Sequence, residues 1–95
     1  MATTVGLLHL EVSIGDAMSL KDKRRVVKSF KDRIANGWNV SIAEVDHLNS
    51  RRRAVLAAAM VGNDSRYVQG ALQKIVNAAQ NYRAWTMLDY EIELI

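Results

Sequence analysis

The side chains in this 95-residue chain best equipped for chemistry are its cations. Between Ser19 and Asn36, SLKDKRRVVKSFKDRIAN, seven lysines or arginines stand against two aspartates, a local charge of +5 on a chain whose total is +3. Two more basic groups follow: the Arg51-Arg52-Arg53 triple, and Arg83 close to Tyr82 and Trp85. Ammonium and guanidinium groups make charge-assisted hydrogen bonds to phosphate. Basic side chains beside aromatics form a surface for phosphate contacts and base stacking. A second reading stands beside this one, in which the long basic side chains only keep a helix face solvated. Asp22 and Asp32 would then supply intrahelical pairs worth about a few tenths of a kcal/mol each.

Residues for bond making are sparse. His9 and His47 fall on different elements with no carboxylate at metal-ligand spacing, so neither is read as a metal ligand. Glu11 is read as facing away from His9, on the ground that neighbouring strand residues turn to opposite faces. Glu44 reads as a bulge or loop contact rather than a general base. The chain has no cysteine, which excludes disulfides, thiolate chemistry and Cys-ligated metal sites. Gly62-Asn63-Asp64 is a strand end and a helix cap rather than a phosphate-cradling loop. No cofactor is implied, and the expectation is a protein without a reaction of its own.

The elements that must carry these residues follow from periodicity. Leu8, Leu10, Val12 and Ile14 alternate with His9, Glu11 and Ser13, the period-two pattern of a half-buried strand over about Thr4 to Ser13. Ser19 reads as a helix N-cap with Asp22 three residues on. In that helix Leu20, Val26, Val27, Phe30 and Ile34 share one face, while Lys21, Arg24, Arg25, Lys28 and Lys31 share the other. Asn36-Gly37 is expected to end it in a left-handed turn. Trp38 to Val45 is strand-like, and a bulge near Ala43 is expected to turn Glu44 outward. His47 to Arg51 form a hairpin loop into a strand from Arg53 to Val61. A second helix carries the stripe Val68, Ala71, Leu72, Ile75, Val76 and Ala79. The last strand has Leu88, Tyr90, Ile92 and Leu94 inward, with Asp89, Glu91 and Glu93 outward.

The order β-α-β-β-α-β predicts a single α+β domain over residues 1–95. It is ferredoxin-like, with a four-stranded antiparallel sheet in the order 4-1-3-2 and both helices on one face. This topology sends three connections to the same end: the turn before helix one, the hairpin loop, and the turn after helix two. Lys21, Arg24, Arg25, Arg51, Arg52, Arg53 and Arg83 therefore converge, with Lys28 and Lys31 further down the helix. The unpaired N–H groups at the helix start would add to the attraction for an anion. Helix two is built differently, for its outer face holds Arg66, Gln69, Gly70, Gln73, Lys74, Asn77 and Gln80 and is mostly neutral. A strongly basic helix is thus not needed for solubility alone. Gly70, in the middle of that face, has no explanation in the sequence.

The uncovered face of the sheet is small and apolar at Val5, Leu7 and one alternation of strand three. Such a patch usually marks an interface, and a homodimer packed sheet to sheet is the expected occupant. Strand three, Arg-Ala-Val-Leu-Ala-Ala-Ala-Met, lacks the aromatics with which an RRM stacks bases on its sheet. RNA binding must therefore use the helix face and the basic end.

Apolar residues make up 49% of the chain and charged residues 24%, well outside the regime of disorder. No segment approaches the roughly 20 apolar residues of a membrane span, and the N-terminus lacks the basic and small-residue features of a secretory signal. No membrane association is expected, and the expected compartment is the cytoplasm.

SLKDKRRVVKSF, WNVSIAEV and the closing DYEIELI together resemble the YlxP-like family of small bacterial proteins of unknown function, over nearly the whole chain. The resemblance implies a ferredoxin-like fold. The family's genes often lie near those of translation factors, which implies a cytoplasmic protein close to RNA or ribosome biology. It implies no catalytic residue. Family members usually have an apolar or aromatic residue at the position of Arg51, so the arginine triple is a departure whose role the resemblance does not supply. Taken together, the expectation is a small non-catalytic protein that binds RNA or a ribosomal particle through a basic helix and a basic loop end. The alternative is a homo-oligomeric interaction module, one that could hold a small acidic ligand.

Overall fold

The computed structural model describes residues 2–95. Strand β1 (Thr4–Ser13) buries every second side chain, so Leu8, Leu10 and Val12 enter the core. Helix α1 (Leu20–Gly37) starts where expected: the Ser19 hydroxyl accepts from the Asp22 N–H at 3.1 Å, and the Asp22 carboxylate accepts from the Met18 N–H at 3.2 Å. The first bond satisfies a donor that a helix start leaves unpaired, and the second holds the residue just before the cap. The other end departs from the expectation. No glycine has a positive φ, and Gly37 is the last helical residue, followed by extended Trp38, whose N–H donates to the Ile34 carbonyl at 2.9 Å.

Strand β2 (Ser41–Asp46) is shorter than the sequence pattern suggests and pairs with β3 (Arg53–Gly62). Its register shifts between Glu44 and Asp46, so the irregularity lies one step beyond Glu44 instead of at Ala43. Glu44 consequently keeps the inward alternation of Val40 and Ile42 and is not turned outward. Helix α2 (Ser65–Gln80) is capped by the Asp64 carboxylate and buries Val68, Ala71, Leu72, Ile75, Val76 and Ala79, the expected stripe.

Strand β4 (Thr86–Leu94) faces inward with Ile92 as expected, but its pairing with β1 shifts between Glu11 and Val12. Asp89 lies opposite Glu11 and Met87 opposite Val12, which leaves Leu88 as the extra residue. Met87 packs on the core in its place, while Leu88 is half exposed. A bulge of this kind moves one residue out of the alternation.

The sheet order is β2-β3-β1-β4, all antiparallel, with both helices on the face carrying Leu8, Leu10, Val12, Leu56 and Ala58. This is the α+β, ferredoxin-like arrangement read from the element order. Helix α2 lies close over β1 because position 6 is glycine. A Cβ there would stand 2.6 Å from both Leu72 Cδ1 and Val68 Cγ1.

Candidate functional site

The register fixes which loops meet. Ser13 lies opposite Arg53 on one side and Thr86 on the other, so the ends of β1, β3 and β4 form one row. The turn before α1, the hairpin loop after β2 and the turn before β4 all leave the sheet from that row.

Specific bonds join the first two. Arg51 Nη1 donates to the Met18 carbonyl at 3.3 Å, and the Ile14 N–H donates to the Arg52 carbonyl at 2.7 Å. The strongest link comes from Lys23, whose side chain is completely buried. Its ammonium pairs with the Glu44 carboxylate and donates to the His47 carbonyl at 2.9 Å. His47 is held in the left-handed region, with φ 58°, a conformation uncommon outside glycine. One lysine of α1 thus ties down both β2 and the hairpin loop.

The third turn is tied to α1 by aromatics. Phe30, Tyr82 and Trp85 form a cluster with ring centroids 4.6 to 5.3 Å apart, the spacing of favourable tilted pairs. Trp85 is buried and its indole N–H donates to the Ala79 carbonyl at 2.9 Å, while the Tyr82 hydroxyl donates to the Val26 carbonyl at 3.2 Å. The two aromatics expected to offer stacking faces therefore belong to the packing. Arg33 lies over the Tyr82 ring, 5.4 Å from its centroid, a cation–π contact.

The cations read from sequence divide by their partners. Lys28 is bound to Asp32 at 2.7 Å, one turn along the helix. Arg53 is bound to Glu11, and Arg51 is partly engaged by Met18. Lys31 is half-buried on the flank of α1. Lys21, Arg24, Arg25, Arg52 and Arg83 are exposed and, among the described residues, no carboxylate pairs with them. At the start of α1 itself, Ser19 and Asp22 already serve part of the helix N-terminus. Side chains, more than backbone N–H groups, are the donors that remain for an anion.

Sequence reasoning missed Lys23 and Glu44, although a signal was present. Lys23, Val27, Phe30 and Ile34 are spaced 4, 3 and 4 residues apart and form one buried stripe, and Glu44 continues the inward alternation of β2. Two opposite charges at core positions on facing elements predict each other, because a buried charge needs a partner.

Glu11 also departs from its expected place. Residues two apart on a strand share a face, so His9 and Glu11 lie together on the open face, opposite Glu91 and Asp89 respectively. They line a shallow hollow of about 170 Å³. Glu11 is engaged by Arg53, and among the described residues no group of three His, Asp or Glu side chains has metal-binding geometry.

Solved structures match the fold across almost the whole chain. A de novo designed protein, Foldit4, aligns with a TM-score of 0.59 at 10% identity, covering 98% of this chain and 96% of that one. SnoaB, a cofactor-independent oxygenase from Streptomyces nogalater, aligns with a TM-score of 0.53 at 16% identity, covering 99% of this chain and 92% of that one. Identities this low speak to architecture alone. In sequence, the chain is 33% identical over 72 residues to the uncharacterized protein YlxP of Bacillus subtilis (strain 168), covering 76% of this chain and 78% of the relative. Residues 5–92 match the model of the family described as "Protein of unknown function (DUF503)", and the chain belongs to that family.

Proposed function

We propose that this protein is a non-catalytic, cytoplasmic RNA-binding domain that docks on phosphates, in a free RNA or a ribosomal particle, through its basic end. One observation carries this reading. Lys21, Arg24, Arg25, Arg52 and Arg83, drawn from three separate turns, are exposed at one end with no carboxylate partner among the described residues. Cations gathered without partners repel one another, and phosphates relieve that repulsion while releasing counterions. The Lys23 clasp fits the same reading, since it holds the loop carrying Arg51 and Arg52 against the helix carrying Arg24 and Arg25. Lys28, Lys31 and Arg53 are secondary contacts. The test is co-sedimentation with ribosomal particles from lysate at low and high salt. The wild type should sediment with them at low salt only, and Arg24→Glu/Arg25→Glu should stay at the top of the gradient. Equal behaviour of wild type and variant would refute the reading.

A second reading, compatible with the first, is a sheet-to-sheet homodimer. It is favoured by the open face, where Val5, Leu7, Val55, Ala57 and Ala59 are only partly covered and Val61 is exposed. Asp89, Glu91 and Glu93 line β4, whereas β2 offers Ser41 and Ala43. A two-fold axis parallel to the strands would lay the acidic strand over the neutral one. Light scattering should give twice the 10.6 kDa chain mass, and Leu7→Lys should return a monomer. A wild-type monomer at high concentration would rule the dimer out.

A further inference from the structure

We propose that a second site, at the opposite end of the domain from the basic turns, binds a nucleotide in the groove between the end of α1 and the first turns of α2. The groove has a volume of about 170 Å³ and is lined by Trp38, Arg66, Tyr67, Gly70, Ala71 and Lys74. That is below the roughly 300–1,000 Å³ of clefts for drug-sized ligands and suits one flat ring. Trp38, just past α1, packs against the core and gives a fixed wall, while Tyr67 is 68% exposed and gives a free one.

Gly70 is the floor, and it is the residue that ordinary structural reasons do not explain. Glycine is the poorest helix former after proline, yet here it occupies the interior of α2. Its backbone does not need glycine, because no glycine has a positive φ. Packing does not need it either, because an added Cβ would meet nothing within 4 Å. Gly6 shows the contrast, since a Cβ there would strike α2. What glycine does at position 70 is keep the groove open.

Arg66, Gly70 and Lys74 follow at intervals of four along one row of the helix, the backbone positions of the two cations lying about 12 Å apart along the axis at 1.5 Å per residue, within reach of one ligand for side chains of this length. Neither cation has a carboxylate partner among the described residues. Aromatic walls with cations on the rim match a base and its phosphate, the base against Trp38 and Tyr67 and the phosphate on Arg66 and Lys74. The site shares no residue with the basic end, so the two can fail separately.

The experiment is a titration of ¹⁵N-labelled protein with AMP, adenosine, inorganic phosphate and a single-stranded RNA tetranucleotide, followed by NMR at the Gly70 amide and the Trp38 indole. AMP, or the tetranucleotide if the nucleotide is presented within an RNA chain, should move both signals saturably. Gly70→Leu should abolish the Trp38 indole shift while melting no lower than wild type. Arg66→Gln/Lys74→Gln should weaken AMP or tetranucleotide binding by about tenfold, the loss expected for one or two charge-assisted bonds, and leave any adenosine binding unchanged. The proposal is overturned if neither AMP nor the tetranucleotide moves these signals in the millimolar range. It is equally overturned if inorganic phosphate reproduces the shifts, or if folded Gly70→Leu binds like wild type.

Discussion

Replacing Glu44 with alanine would strand a charge in the interior. The Lys23 side chain is 0% exposed and that of Glu44 10%, so water cannot readily replace the lost carboxylate. Removing one member of a buried ion pair costs about 3–5 kcal/mol. Here the His47 carbonyl, 2.9 Å from the ammonium, retains one hydrogen bond, which places the expected loss near the lower bound, about 3 kcal/mol. A domain of 95 residues at roughly 0.05–0.15 kcal/mol per residue has about 5–14 kcal/mol in all. The variant should therefore stay folded yet melt about 12–24 °C lower, at 4–8 °C per kcal/mol. Lys23→Met/Glu44→Leu removes both charges and fills the space with apolar atoms, an exchange that is often neutral or stabilising. Urea unfolding followed by circular dichroism, for wild type, Lys23→Met, Glu44→Leu and the double, gives the coupling directly. A Glu44→Ala loss under about 1 kcal/mol, the scale of an exposed pair, or a double variant costing the sum of the singles, would refute the clasp.

Three other stability measurements test the packing. Gly6→Ala should lose about 1–3 kcal/mol by overpacking, because the new methyl would stand 2.6 Å from Leu72 and Val68; an unchanged melting temperature would mean that α2 does not press on β1. Gly70→Ala should gain up to about 1 kcal/mol from helix propensity, as its Cβ enters open space; a loss in thermal unfolding would show a hidden contact. Trp85→Phe removes the indole donor from the Ala79 carbonyl, which keeps the Tyr82 N–H at 3.3 Å, and should cost about 0.5–1.5 kcal/mol in urea unfolding, whereas no loss would show that the backbone donor or water replaces the bond.

The parts of the fold that depend on local pattern were legible. Alternation in β1, the Ser19 cap and the α2 stripe each follow from a few adjacent residues, and the order of the elements then leaves little freedom in topology. What was not legible depends on contacts between distant segments. Lys23 looks like one more basic residue until Glu44 is placed opposite it, 21 residues away. Tyr82 and Trp85 look like exposed aromatics after a helix until Phe30 is packed against both. Leu88 lost its inward place to Met87 because one pairing shift reassigns the faces beyond it. At the candidate site the convergence of three turns was readable from topology. Which cations keep no partner was legible only in part: Asp32 pairs within the helix as its spacing suggests, but the loss of Arg53 to Glu11 depended on where that carboxylate came to lie.

If cations at the basic end meet phosphates, the affinity for RNA must fall with salt in proportion to the number of contacts. Fluorescence anisotropy with a labelled single-stranded RNA, between about 50 and 200 mM salt, yields a log–log slope near −0.7 per phosphate contact. The five basic-end cations whose side chains have neither a carboxylate nor a backbone acceptor among the described residues, Lys21, Arg24, Arg25, Arg52 and Arg83, predict a slope of about −3.5, a loss of about a hundredfold over that range. Arg24→Glu/Arg25→Glu should reduce the slope to about −2.1 or less in magnitude. A flat response in the wild type, or an unchanged slope in the variant, would show that these cations do not meet phosphates.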